Sequence, residues 1–191
     1  MKKIILILSA FLVIASSAVQ AANWTNDKAH SQLMFTVKHL GISDVSGTFN
    51  DFDVNISADK ADFSDAVFEL TVSTASIDTR VEARNKHLKS ADFFNVEQHP
   101  TMYFKSTSVK KTGKNSYRLT GNLTLHGVTR TVAMNLTYRG TVENAQSKKP
   151  TAGFQLTGVL KRSDFEVGNG FPPPMISDEV HIKADGEFLP Q

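Results

Sequence analysis

In the stretch HSQLMFTVKHLG, Leu33, Phe35, Val37 and His39 fall on one face, and Gln32, Thr36 and Lys38 on the other. That is the period of a strand with one side turned to a core. The same period returns along most of the chain. Val45, Gly47 and Phe49 share a face, then Phe52, Val54 and Ile56, then Ala66, Phe68, Leu70 and Val72. Between Phe49 and Phe52 the parity shifts by one, which predicts a bulge or bend at Asn50 and Asp51. Later, Met102, Phe104, Ser106 and Ser108 alternate, and Phe154, Leu156 and Leu160 and then Val180, Ile182, Ala184 and Phe188 close the series. SYRLTGNLTLHGVTRTVAMNLTY is the clearest hairpin, two alternating runs joined by His126-Gly127. A two-residue connection fixes the register, so Leu125 faces Val128, Gly121 faces Val132, Leu119 faces Met134 and Tyr117 faces Leu136. Roughly eight strands, each apolar on one face, predict an all-β fold: an eight-stranded antiparallel barrel, with a two-sheet sandwich as the alternative that alternation leaves open.

One segment breaks the period. SIDTRVEARNKHLKSADFFN, Ser76 to Asn95, carries Asp78, Arg80, Glu82, Arg84, Lys86, His87, Lys89 and Asp92. It is rich in helix formers, and Val81, Arg84 and Leu88 stand at helical spacing. A short helix over about 80–90 is expected, packed across one barrel end, with Phe93 and Phe94 anchoring its exit. Ion pairing around a surface helix accounts for most of its charges, and exposed pairs contribute only ~0–1 kcal/mol each.

The first 21 residues have another character. Lys2 and Lys3 precede an apolar run from Ile4 to Ile14, and Val19 and Ala21 occupy the positions that a signal peptidase reads. A signal peptide cleaved after Ala21 is expected, leaving residues 22–191 as a single domain in a bacterial periplasm or secreted. The apolar run is too short for a stable membrane anchor. Its removal changes the charge: of 21 Lys+Arg and 19 Asp+Glu, two lysines leave with the signal, so the mature chain balances at 19 and 19. Without excess positive charge, nucleic-acid binding is not expected. The chain has no cysteine, which removes disulfides, thiolate ligands and a cysteine nucleophile. Oligomeric state is silent in the sequence.

Enzyme motifs are missing. There is no G-x-S-x-G elbow and no H-E-x-x-H pair, and His30, His39, His99, His126 and His181 are scattered over different strands and turns. No metal, cofactor or catalytic residue is assigned. Two polar residues continue inward faces, His39 after Val37 and Arg130 opposite Leu123. They either snorkel to water at barrel ends or hold the polar end of a ligand. Arg84 and His87 on the expected helix pose the same question. Phe35, Val37, Phe49, Phe68, Phe104, Leu119, Met134 and Phe154 are the candidates for a ligand-binding lumen wall, and Gly47 and Gly121 on the same faces withhold side-chain volume as a tunnel requires. The competing reading is that the phenylalanines fill a solid core.

Six blocks in order, SQLMFTVKHLGISDVSGTFNDFD, SIDTRVEARNKHLKSADFFN, HPTMYFKSTSV, YRLTGNLTLHGVTRTV, GFQLTGVLKRSDFEVG and DEVHIKADGEF, resemble the YceI-like family of exported proteins over Ser31 to Phe188. The resemblance implies a lipocalin-like barrel whose lumen binds a long amphiphile, polyisoprenoid or fatty-chain in type, and it brings no accepted catalytic residues. The chain departs from the family at Asn85, where Asp is common, and at Glu166, where Gly is frequent. Two other readings stand beside carriage or sequestration of a lipid: a hydrolase or isomerase acting on a lipid-like substrate in the same cavity, with His39 as the inward imidazole, and a stress-related interaction protein with a filled barrel.

Overall fold

The computed structural model describes residues 22–191, so the expected signal peptide lies outside the described residues. Its strands are β1 (Ala22–Asn26), β2 (Gln32–His39), β3 (Ser43–Phe49), β4 (Phe52–Ala58), β5 (Val67–Ser73), β6 (Ile77–Asp78), β7 (Thr101–Lys111), β8 (Ser116–Leu125), β9 (Val128–Glu143), β10 (Pro150–Lys161) and β11 (Glu179–Pro190), with one α-helix, α1 (Glu82–Lys89). All pair antiparallel, and the eleven segments make eight staves of a closed barrel.

Three staves are broken. β1 and β2 form one, both lying on β11: Trp24–Asn26 pair with Phe188–Pro190, and Gln32–Thr36 with His181–Asp185. β3 and β4 form the next, pairing with β2 and β1 respectively. β5 and β6 form the third, on β4 and β3. Then β7 to β11 run unbroken and closure is completed by β1 on β11. Each break has a local cause. Asp27 accepts from the Ala29 amide at 2.9 Å and starts a 3₁₀ turn over Lys28–His30. The parity shift at Asn50 and Asp51 is the break between β3 and β4, with Asn50 N–H donated to the Ser76 carbonyl. Thr74, fully buried, turns the third stave by donating its N–H to the Pro100 carbonyl and its hydroxyl to the His99 carbonyl.

The β8/β9 hairpin has the expected register, Leu125 opposite Val128 and Tyr117 opposite Leu136. His126 and Gly127 have φ of 52° and 76°, as the tight turn between twisted strands requires. Pairing of β9 with β10 ends at Asn135 and Thr157, so above that level Val128–Met134 bond only to β8.

The two barrel ends differ. The lower end is plugged by the 59–66 loop. Phe63, 3% exposed and at φ 57°, puts its ring 5.4 Å from Trp24, 5.2 Å from Tyr138 and 5.0 Å from Phe154. The loop is pinned by Tyr117 Oη donating to the Asp62 carbonyl at 2.6 Å and by Lys111 Nζ at 3.1 Å from the Asp62 carboxylate. Hydrogen bonds from Ser64, then Lys111, hold the Asp62 carboxyl down at about 2, from an ordinary 3.8. A carboxyl depressed on folding stabilises above its unfolded pKa and loses that contribution as pH falls through the folded one. Asp62→Asn should therefore melt below the wild type at pH 6, and the difference should vanish as acid takes both from pH 3.8 to about 2. Thermal melts in that window check it; a gap that persists at the acid end would exclude the carboxylate as its source.

The upper end is roofed instead of plugged. There α1, the 91–100 turns, the His126-Gly127 tip and the 162–178 loop gather around the ends of β2, β8, β10 and β11.

Candidate functional site

Inside the barrel lies a cavity of about 560 Å³, walled almost wholly by apolar side chains. All eight side chains expected on the lumen wall, from Phe35 to Phe154, line it. The barrel is therefore hollow along its upper and middle length, and solid only at the Phe63 plug. A volume of this size is in the range of small-molecule sites.

Gly47 and Gly121 do not simply leave space. A Cβ on Gly47 would lie 2.5 Å from Phe35 Cζ, and one on Gly121 would lie 2.5 Å from Phe104 Cζ and closer still to the Lys105 carbonyl. Phe35 pairs directly with Gly47 across the ladder. Each glycine thus receives a phenylalanine ring pressed flat to the wall, and the lumen stays open because the ring is held out of it. Met134 lies over Gly158 of β10 in the same way. The two sites predict different outcomes. Gly121→Ala meets backbone and should cost about 1–3 kcal/mol. Gly47→Ala meets side chains alone, the far end of the Phe35 ring and the Thr79 methyl at 2.9 Å, so it should swing Phe35 into the lumen, weakening ligand binding with less loss of stability. Denaturation midpoints alongside binding isotherms check the pair.

The expected polar end is partly assembled. Arg84, His87 and His39 border the cavity. α1 positions the first two. It runs Glu82–Lys89, inside the expected span, and follows a left-handed Arg80 at φ 63°. Asn85 ties its start: Asn85 Oδ1 accepts from Thr79 N–H at 2.8 Å and Thr79 Oγ1 at 2.6 Å, while Asn85 Nδ2 donates to Asp78 at 2.8 Å. An amide does both jobs, whereas an aspartate at this position would only accept. Arg84 donates Nε to Thr79 Oγ1 and an Nη to the Thr79 carbonyl, both at 2.8 Å. His87 faces Asp92 at 3.0 Å and sits edge-on to Phe93 and Phe171, rings that stack on each other at 4.8 Å. Phe94 packs on Phe49 at 5.6 Å, so the exit of α1 is anchored as expected. His39 is exposed at the lip, where its strand bridges to Ile176. Arg130 is not brought in. It stands opposite Leu123 in the register, yet it is exposed and off the cavity wall. It lies where β9 lacks a β10 partner, so its side chain leaves by the open flank.

Three arrangements have no signal in local sequence. Arg162, 8% exposed, donates to the carbonyls of Val167, Gly168, Phe171, Ile176 and Ser177, and so organises the whole roof loop. Glu166 is left-handed at φ 59° in that loop, a conformation that glycine adopts most readily. His99 and His126, distant in sequence, meet edge to face at 4.6 Å. On the outer surface, ligand atoms of Asp27, His30 and Glu187 lie within 4.8 Å of one another, the one such cluster among the described residues. Its pKa values follow from the Asp27–His30 hydrogen bond at 2.8 Å, which holds the carboxyl below its usual value and the imidazole above.

A family description, "YceI-like domain", matches residues 24–188. The chain belongs to the YceI-like family. A UPF0312 protein of Pectobacterium atrosepticum is 39% identical over 189 residues, spanning 97% of each chain. Among solved structures, Burkholderia cenocepacia BcnA superposes on this YceI-like barrel with TM-score 0.75 at 27% identity, covering 85% of this chain and 98% of its own. A polyisoprenoid binding domain from Saccharophagus degradans superposes at TM-score 0.69 and 16% identity, covering 90% of this chain and 100% of its own, a likeness of fold. The eight-stranded barrel with one short helix is the form this chain takes.

Proposed function

We propose that this YceI-like protein binds a long-chain amphiphile, of isoprenoid or fatty-chain type, in its barrel lumen, for carriage or sequestration in the periplasm after removal of residues 1–21. The observation that carries the reading is the 560 Å³ cavity itself, apolar along its length and bordered at one end by Arg84 and His87. Burying a hydrocarbon chain contributes ~0.8 kcal/mol per CH₂, so such a lumen gives useful affinity without directional chemistry. The likeness of fold to a polyisoprenoid binding domain agrees with it.

Native mass spectrometry of the exported protein, followed by organic extraction, tests this. A co-purifying amphiphile, displaced by added prenyl or fatty chains, is expected. Protein that is ligand-free and takes up neither chain type would overturn the proposal.

A further inference from the structure

Asn26 is 6% exposed, and its amide orientation is fixed because Oδ1 accepts the Val54 N–H at 2.7 Å. That leaves Nδ2, a two-hydrogen donor, with no acceptor in the protein, and the buried Ser31 Oγ is likewise unpartnered. Leaving such groups buried and unpaired is costly, and each one in a native fold calls for a reason. The two side chains lie at the ends of the break between β1 and β2, opposite the break between β3 and β4. There the ladder is interrupted: β1–β4 pairing stops at Thr25 and Asn55, and β2–β3 pairing starts at Leu33 and Phe49.

The interruption leaves a notch of about 200 Å³ in the barrel wall, bounded by Asn26, Lys28, Ser31, Thr48 and Asn50. Ser31, Leu33, Phe49 and Phe52 are walls of both the notch and the lumen, so the two adjoin. Its level is informative. Asn26 pairs with Phe188, a lumen-lining residue, while the plug residues Trp24 and Phe63 do not line the lumen. The notch therefore opens towards the closed end of the cavity on its β1 side, while Thr48 on its other side pairs with Asp78, next to the Thr79 that holds Arg84.

We infer that this notch is a polar subsite, taking a neutral hydrogen-bond-accepting oxygen, of a hydroxyl or carbonyl, on the chain bound in the lumen. The inference rests on the lumen reading proposed above and adds where the oxygen goes. Charge selects a neutral group. Both unpartnered groups are uncharged donors, and the nearby Lys28 ammonium is engaged by Asp53 at 2.9 Å. An amphiphile would thus seat its oxygen in the side wall of the barrel, with its hydrocarbon along the lumen.

The test uses cetyl alcohol and hexadecane as probes of matched length, with wild type, Ser31→Ala and Asn26→Asp. Ser31→Ala removes no bond that the folded protein makes, and Asn26→Asp keeps an oxygen for the Val54 amide while removing both donors. Wild type should bind cetyl alcohol roughly 10-fold tighter than hexadecane, and each variant should lose most of that preference. A crystal structure of the cetyl alcohol complex should place the oxygen beside Asn26 and Ser31. Equal affinities in wild type, an oxygen seated instead at Arg84 or His87, or a notch holding only ordered water in that complex would overturn the subsite while leaving the lumen reading intact. Failure of both probes to bind would overturn both.

Discussion

Arg162→Met should cost about 3–5 kcal/mol of folding stability, the size expected when a buried, fully bonded charged group is removed from its partners. The guanidinium is the shared donor for five roof carbonyls, three of them bonded at 2.6–3.1 Å. Those carbonyls span Val167 to Ser177, and no other side chain reaches them all. Without the fork they must find water, which requires the roof to open. Denaturation should therefore show a lowered midpoint, and hydrogen exchange should show loss of protection concentrated in residues 162–178. Arg162→Lys should fall close to the methionine variant, because an ammonium keeps the charge but cannot address five acceptors in a planar fan. The same opening unroofs the lumen, so a bound chain should dissociate faster from both variants. An unchanged midpoint with unchanged exchange across the loop would show that the carbonyls are held by something other than Arg162.

How much of this was legible in advance follows from the range of the signal. The β8/β9 register could be read because a two-residue turn locks it, and a slip of one residue would turn Leu119 and Leu123 to solvent. The break at Asn50 was visible as a parity shift, and α1 as a loss of alternation. Strand β1 was not legible: five residues are too few for periodicity, although Trp24 and Asn26 both turn inward. Gly47 and Gly121 were rightly placed on the inner face, but the sequence could not say that Phe35 and Phe104 lie over them. Arg130 had the inward parity and still escapes, because parity describes a strand with neighbours on both sides and β9 lacks one there. Arg162 stood within a recognisable block, yet its role depends on carbonyls up to 15 residues away that only the closed roof assembles. The Asn26–Ser31 notch and the Asp27–His30–Glu187 cluster need β1, β2 and β11 side by side, which no local pattern encodes.

Ile182→Trp should abolish most amphiphile binding while leaving the barrel folded. Ile182 is half-buried on the lumen wall, between Phe35 of β2 and Gly158 of β10. An indole there projects into open cavity instead of packed core, so it meets little of the strain that overpacking causes, and the added apolar burial should hold the denaturation midpoint level or raise it by up to about 1 kcal/mol. The effect on a ligand is opposite in sign. If the ring excludes about four methylenes of the bound chain, ~0.8 kcal/mol for each removes about 3 kcal/mol, a loss of roughly 100-fold in affinity. Ile182→Val changes the same position without filling the lumen, and should bind within a few-fold of wild type. The natural chain has a single tryptophan, so the introduced indole also gives a fluorescence signal from inside the cavity. A tryptophan variant that is stable and binds prenyl or fatty chains as tightly as the wild type would mean that those chains bind outside the barrel.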